Sequence, residues 1–557
     1  MRPSLKGSSP TATAWFGGLF LCLLTFSAYI PAIRGAFVWD DDRYAANPIL
    51  LQPDALRQIW TPGTTREQYY REFPMVYTSF WLERRLWGLR PDGFHIVNIA
   101  LHVFNAILAW LLLKRLGLRE AWLAAAIFAL HPVHVESVAW ITERKNLLSA
   151  FFYLLALNGY LKFEDESDLR WYLGSLVLFV AALLSKPVTC TLPVILLLLR
   201  WQRGRGIGRL DMMHLLPFFL LSAGAGAFTI VVERKVIGRP DFDISWAQHI
   251  LLAGRAFWFY PMKLVWPANL AFSYERWALN AHDVFQWLWV LAALVAGACV
   301  WRERNRLGRG ILAGLGFYAV TIAPMLGFST IYTFHFSFVA DHYQYLSSLG
   351  LIAVGVGSVG GLFHEDRTKP ETSRWRHWTG VLLGALALAL LGALTWQQTQ
   401  VYRDSSTLWQ DVLSKNPGSF LAHNNLGVVL AEQGNMDEAI RHYSRALQEK
   451  PDYAAAHNSL GVALAGQGKT DEAIRQFNLA LQTRPDYAEA QNNLGAALAV
   501  QGTADEAIRH HHSALAVFWY RKAAEQGFST AQYNLGSMYA RGQGCIQSGG
   551  VGPVLCL

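Results

Sequence analysis

From residue 15 to about residue 397 the chain runs again and again through apolar blocks long enough to cross a bilayer, and nothing else constrains its fold so tightly. A helix needs about 20 mostly apolar residues to traverse the hydrocarbon. About eleven such blocks can be drawn, near residues 14–33, 94–113, 121–139, 146–161, 170–185, 187–200, 214–232, 283–301, 311–328, 343–362 and 378–397. Only 16% of the 557 residues are charged, against roughly 25% in an ordinary soluble domain. The first block, Ala14–Ile33, is long and is followed by no small-residue cleavage site, so it reads as a retained membrane helix rather than a signal peptide. The net charge of +8 forms no single stripe and implies no nucleic-acid partner. The basic residues instead punctuate the blocks at Lys114–Arg119, Arg200–Arg209, Arg302–Arg309 and Arg367–Arg376, where they orient the chain with those turns in the cytoplasm. Residues 248–266, apolar but broken by Arg255, Pro261 and Lys263, fit an interfacial or re-entrant helix. The N-terminus is then inside. Loop 34–93, the turn at 131–145 and the C-terminal region lie on the other side.

After residue 397 the pattern changes from blocks to a period. Pro417, Pro451 and Pro485 stand 34 residues apart, as do Leu426-Gly427, Leu460-Gly461 and Leu494-Gly495. That is the tetratricopeptide (TPR) signature, two helices per repeat with small residues where they pack. Val401–Pro417 reads as a capping helix. The next Leu-Gly, Leu535-Gly536, comes 41 residues on, within text resembling a Sel1-type repeat. The last stretch, CIQSGGVGPVLCL, has no helical period and reads as an irregular tail such as a truncation or frameshift leaves. Stacked helix pairs build a concave surface that holds peptide or protein, and Asn424, Asn425, Asn458 and Asn492 are the groove residues expected to hold it.

Residues able to do chemistry gather at the ends of the blocks. Asp40, Asp41 and Asp42 follow the first span, and an acid there suits a general base, with a divalent cation such as Mg2+ or Mn2+ a conceivable helper. His95, Asn98 and His102 share one helical face, which in lipid must point into the bundle or a wet cavity. The turn His131-Pro-Val-His134-Val-Glu136 through Thr142-Glu-Arg144-Lys145-Asn146 packs acids beside bases. Its histidines lack the spacing of a helical zinc pair, so Glu136 as a second acid, with Arg144 and Lys145 facing a phosphate, is the more coherent reading. Lys186, and Asp341 with His342, sit at further turns on the same side.

The ordered segments FVWDDDRY, WGLRPDGFHIVNIALH, HPVHVESVAWITERKNLLS, LLSKP and VADHYQYLSSLG, ahead of TPRs, resemble the transmembrane-and-TPR O-mannosyltransferase-like proteins of the GT-C glycosyltransferase superfamily. The resemblance implies an all-α fold, a polytopic GT-C-like bundle followed by a TPR α-solenoid. The parts are a membrane domain over 1–398, TPRs with their capping helix over 399–517, a Sel1-like partial repeat over 518–544 and the tail over 545–557. It implies transfer of a sugar, mannose in the family, from a polyprenyl-phosphate donor to Ser or Thr of a protein held by the TPRs. Asp40, Asp41 and Glu136 match the acidic positions, and Arg144, Lys145, Lys186 and His342 the groups meeting donor phosphate. His95, Asn98, His102, His131, His134 and Asp341 then line the site. The chain departs from the eukaryotic pattern at Phe73-Pro74 and at Asp341-His342. The absence of any Asn-x-Ser/Thr sequon suits a bacterial inner-membrane protein with periplasmic repeats. Two other readings stand beside this one: transfer to a lipid-linked glycan or envelope polysaccharide, and a non-catalytic TPR scaffold.

Overall fold

The computed structural model describes residues 12–61, 73–237, 244–328, 332–363, 370–501, 506–540, 545–546 and 555–556. The chain divides into two compact units, Met1–Leu408 and Trp409–Leu557. Among the described residues the only departure from helix and loop is a two-residue antiparallel pairing of Cys545–Ile546 with Leu555–Cys556.

In the first unit the apolar blocks are helices. Among the described residues four of them, Pro91–Arg115, Arg209–Val232, Arg304–Met325 and Trp375–Tyr402, are both long and apolar enough to cross a membrane. Shorter apolar helices include Leu169–Leu183, Trp287–Arg302 and Ser348–Leu362. Two blocks differ from the sequence expectation. Residues 121–139 form no straight helix: Ala121–Leu130 stops at Pro132, and the chain resumes at an angle of 55°. A proline's missing N–H and its ring are what end the first piece. The block at 343–362 becomes helical only at Ser348, after a 3-10 turn over Asp341–Gln344. These two irregular stretches are where the polar side chains sit.

The segment expected as a long outer loop is itself folded. Helix Pro74–Trp87 begins on a proline, which suits a first helical turn. It buries Val76, Tyr77, Phe80 and Glu83, a spacing of three to four that makes one face. That face packs with Tyr44, Phe94, Ile141 and Leu148 in one cluster. The basic turns share an end of the bundle, since Gln202 donates to the Leu116 carbonyl at 3.3 Å and Arg309 lies over the Trp201 ring. At the other end Ala36 N–H donates to the Arg403 carbonyl at 2.8 Å, so the chain leaves this unit where Asp40 lies.

The second unit stacks helix pairs Phe420–Glu432 with Met436–Glu449, Ala454–Gly466 with Thr470–Thr483, and Ala488–Gln501 with Glu506–Glu525. The first three Leu-Gly glycines lie where a Cβ would meet the ring of the partner helix, 2.6 Å from Tyr443 at Gly427 and 2.6 Å from Phe477 at Gly461. The spacing of 41 has a simple cause. Glu506–Glu525 has 20 residues where its counterparts have 14, so Tyr520 fills the space beside Gly495.

Side-chain amides join successive repeats. Asn493 donates to Asn458 Oδ1 at 3.0 Å, and Asn534 donates to Asn492 Oδ1 at 3.1 Å. In both cases the residue before Leu-Gly reaches back to the previous repeat. The equivalent donor for Asn424 is residue 459, which is Ser and too short, and Asn424 Oδ1 is left buried without a partner. Asn424, Asn458 and Asn492 are all buried, Asn458 and Asn492 join successive repeats, and Asn425 turns back to the Leu421 carbonyl. Of the four residues expected in the groove, Asn425 alone is partly exposed. Ser459→Asn should complete the ladder and raise the stability of the repeats by about 0.5–1.5 kcal/mol. Chemical denaturation of the full chain, followed by a probe in the repeats, measures it; an unchanged midpoint would show that the amide ladder is not what couples them.

Candidate functional site

Residues 129–144 are buried without a break, although they include two histidines, two glutamates and an arginine. Buried polar groups need partners, and each has one. His131 pairs through Nε2 with the Leu264 carbonyl at 2.8 Å and accepts Val133 N–H through Nδ1. His134 spans the Phe128 carbonyl at 2.7 Å and Ser348 Oγ at 2.9 Å. His102 spans Tyr345 OH at 2.7 Å and the Ala129 carbonyl at 3.0 Å. Asn98 donates to the Val138 and Trp140 carbonyls. His95 is buried one turn earlier, against Gly35. These residues hold the bent backbone in shape, and Asn105, on the same helical face and missed in the sequence, joins them through the Leu147 carbonyl and Tyr345 OH.

Arg144 is fully buried and forms a double ion pair with Glu83. It also donates to Asn98 Oδ1, to Ser79 Oγ and, at 2.9 Å, to the Phe94 carbonyl. A guanidinium so engaged has no face left for a phosphate. Arg144 is therefore a structural residue, and its place among the phosphate-binding candidates is withdrawn.

The three consecutive aspartates separate by direction. Asp41 is buried, and its carboxylate accepts Val38 N–H at 3.0 Å, Thr142 N–H at 2.8 Å and Thr142 Oγ1 at 2.9 Å. Asp42 is exposed and takes the Arg43 N–H. Asp40 lies between them, half-buried, with Trp140 Nε1 donating to it at 3.2 Å. Burial raises Asp40 to about 6 against the opposing pull of Lys145. Burial, then the neighbouring Asp40 charge, raises Asp41 to about 8. Asp40 is the less buried member of this pair.

Opposite the aspartates the cations converge on an acid that sequence reasoning did not single out. Glu143 stands 3.3 Å from Lys186 Nζ, 3.4 Å from Lys145 Nζ and 4.0 Å from His342 Nε2. Burial works to raise the Glu143 pKa, but His342, Lys186 and Lys145 outweigh it and hold the carboxyl well below its usual range. Burial lowers Lys186, and Glu143 opposes that shift. Lys186 also donates to Asn146 Oδ1 at 2.7 Å. Lys145 lies over the rings of Tyr44, Phe73 and Trp140. Glu136 does not face outward: it accepts the His342 N–H at 2.9 Å and stands 3.0 Å from His342 Nδ1, orienting that imidazole. Asp341 is buried and accepts Tyr274 OH at 3.0 Å. Two lysine ammoniums thus meet the Glu143 carboxylate, while the His342 imidazole stands between Glu143 and Glu136, and the lysines are the groups able to meet an anion. A metal fits poorly. Asp41 is saturated, Asp42 faces away, and among the described residues no three His, Cys, Asp or Glu side chains stand where one ion would hold them.

Fold and site are those of a helical membrane protein carrying a TPR array, with an acid–cation cluster where its irregular turns meet. A family model described as dolichyl-phosphate-mannose-protein mannosyltransferase matches residues 73–225, and tetratricopeptide-repeat models match 418–486 and 458–516. Protein O-mannosyl-transferase TMTC4 of Homo sapiens is 28% identical over 73% of this chain and 63% of its own length. TMTC4 of Mus musculus is 27% identical over 76% and 65%. Protein O-mannosyl-transferase F38B6.6 of Caenorhabditis elegans is 25% identical over 77% and 62%. The chain thus spans a little under two thirds of the length of these relatives, and it is similar to them across both its membrane unit and its repeats.

Breaking a buried ion pair from one side costs about 3–5 kcal/mol, because the other charge is left unpaired. Arg144→Met should lower the melting temperature of detergent-solubilised protein sharply, and adding Glu83→Leu should restore part of the loss. Equal melting of the single and double variants would remove the ion pair as the cause.

Proposed function

We propose that the chain is an integral-membrane glycosyltransferase that moves a sugar from a polyprenyl-phosphate donor to a Ser or Thr hydroxyl of a protein acceptor. The observation that carries this reading is the placement of Asp40, the half-buried member of its triplet, within electrostatic range of Lys145 and Glu143 at one cluster. The names of the relatives suggest mannose as the sugar, and the repeats suggest a peptide acceptor.

The donor phosphate rests against Lys186, Lys145 and His342, with Glu136 holding the imidazole in place. Asp40 removes the proton of the acceptor hydroxyl as its oxygen attacks the anomeric carbon. The new C–O bond forms while the bond from that carbon to the phosphate oxygen breaks. The leaving polyprenyl phosphate takes both electrons, and the cations stabilise its added charge. Asp40 then returns its proton to solvent. Attack from the face opposite the leaving group inverts the anomeric centre. The repeats raise the effective concentration of acceptor without any new contact at the reacting atoms.

Release of polyprenyl phosphate from polyprenyl-phosphate mannose, with a peptide acceptor, tests the reading. Asp40→Asn should lower the rate by about 10²–10⁴-fold. Only the ionised carboxylate acts as base, so the wild-type rate should fall as pH drops through about 6, where Asp40 gains its proton. An ordinary exposed carboxylate would place that limb near 4. Lys186→Met should weaken donor use more than acceptor use. A well-folded protein without turnover over a panel of donors would leave the scaffold reading in its place.

A further inference from the structure

Between helices Pro91–Arg115, Arg144–Glu166 and Leu169–Leu183, at the basic-turn end of the bundle, lies a groove of about 600 Å³. It lies away from the Asp40 cluster. Asn98, which braces that cluster, is 17 residues before Arg115 on the same helix, a rise of about 26 Å. Leu111, Leu155 and Leu178 form its apolar walls, and Gly159 and Gly174 keep its floor low. Arg115, Lys162 and Arg170 stand at its rim with Trp171. The facing acids are Glu166, 3.7 Å from Lys162, and Asp168, which is paired with Arg170. Arg115 donates to the Asn158 carbonyl and pairs with no carboxylate among the described residues. The rim is therefore net cationic over an apolar trough.

We propose that this groove binds an anionic phospholipid, its phosphate at Arg115 and Lys162 and an acyl chain along the leucine walls. The charge distribution selects this occupant. A free anion would gain nothing from the leucines, and a neutral lipid would gain little from the rim. Basic pockets between membrane helices at the cytoplasmic surface recognise anionic headgroups in this way.

Gly174 offers a clean test, because a Cβ there would meet nothing within 4 Å. Gly174→Leu places a side chain in the trough, with open space at its Cβ, and favours helix. The full chain is extracted from vesicles of equal phosphatidylglycerol and phosphatidylcholine, and the retained lipid is counted by native mass spectrometry. Wild type should retain phosphatidylglycerol over phosphatidylcholine by roughly tenfold, as expected of one to two rim cations. Arg115→Gln/Lys162→Gln should bring the ratio close to one, and Gly174→Leu should reduce retention of both lipids. Equal retention of the two lipids by wild type, or variants that match wild type, would overturn the proposal. So would inorganic phosphate at millimolar concentration displacing the retained lipid, because the chain contacts would then contribute nothing.

Discussion

The buried guanidinium of Arg144 is the interaction on which the rest of the membrane unit depends. It joins helix Pro74–Trp87 through Glu83 and Ser79, helix Pro91–Arg115 through Asn98 and Phe94, and its own helix, Arg144–Glu166. A charge in such a place persists only when it is paired and its remaining donors are satisfied. Because Asn98 also donates to the Val138 and Trp140 carbonyls, the same network fixes the turn that carries Thr142 and Glu143. Thr142 in turn holds Asp41, and Asp41 fixes Asp40. The geometry of the half-buried Asp40 thus descends from a cation whose donors are all taken up within the protein.

Sequence pattern made the helices legible, since apolar blocks and a 34-residue period are local properties. The polar face of His95, Asn98 and His102 was legible for the same reason. What it serves was not. His102 pairs with Tyr345, 243 residues away, and Glu136 with His342, 206 residues away, and no spacing rule reaches that far. Nor does composition tell which of Arg144, Lys145 and Lys186 is occupied by the protein itself. That depended on Glu83, one acid in an amphipathic helix with nothing in its neighbours to mark it. Glu143 was passed over for a similar reason: its importance comes from cations supplied by three separate turns.

Divergence among the aspartates follows from local geometry. Trp39 holds a φ of 50°, a left-handed conformation rare for a bulky residue, just before the short helix Asp41–Ala45. Successive residues at a helix start point about 100° apart, so one acid turns inward, one outward and one between. The tilted stack of Trp39 on Trp140, 5.3 Å between centroids, and the edge contact of each with Phe272 stabilise the bend. Strain of this size needs surroundings that over-determine it, and these three aromatic contacts help to supply them.

Helix Pro91–Arg115 shows how the bilayer divides the labour. Its buried polar side chains, His95, Asn98, His102 and Asn105, end at Asn105, and no charged side chain follows until Lys114 and Arg115. Lipid tolerates buried amides and imidazoles where bent neighbours satisfy them, and it tolerates cations only near the surface, where they reach headgroups. The intervening turns hold only apolar residues, so no chain of hydrogen bonds along this helix links the acid cluster to the basic rim. Sites so separated, sharing no partner, respond additively to substitution. Lipid held at one end can change how the chain sits in the membrane without altering the charge balance at Asp40, and the chemistry at Asp40 can vary among relatives without disturbing that anchorage.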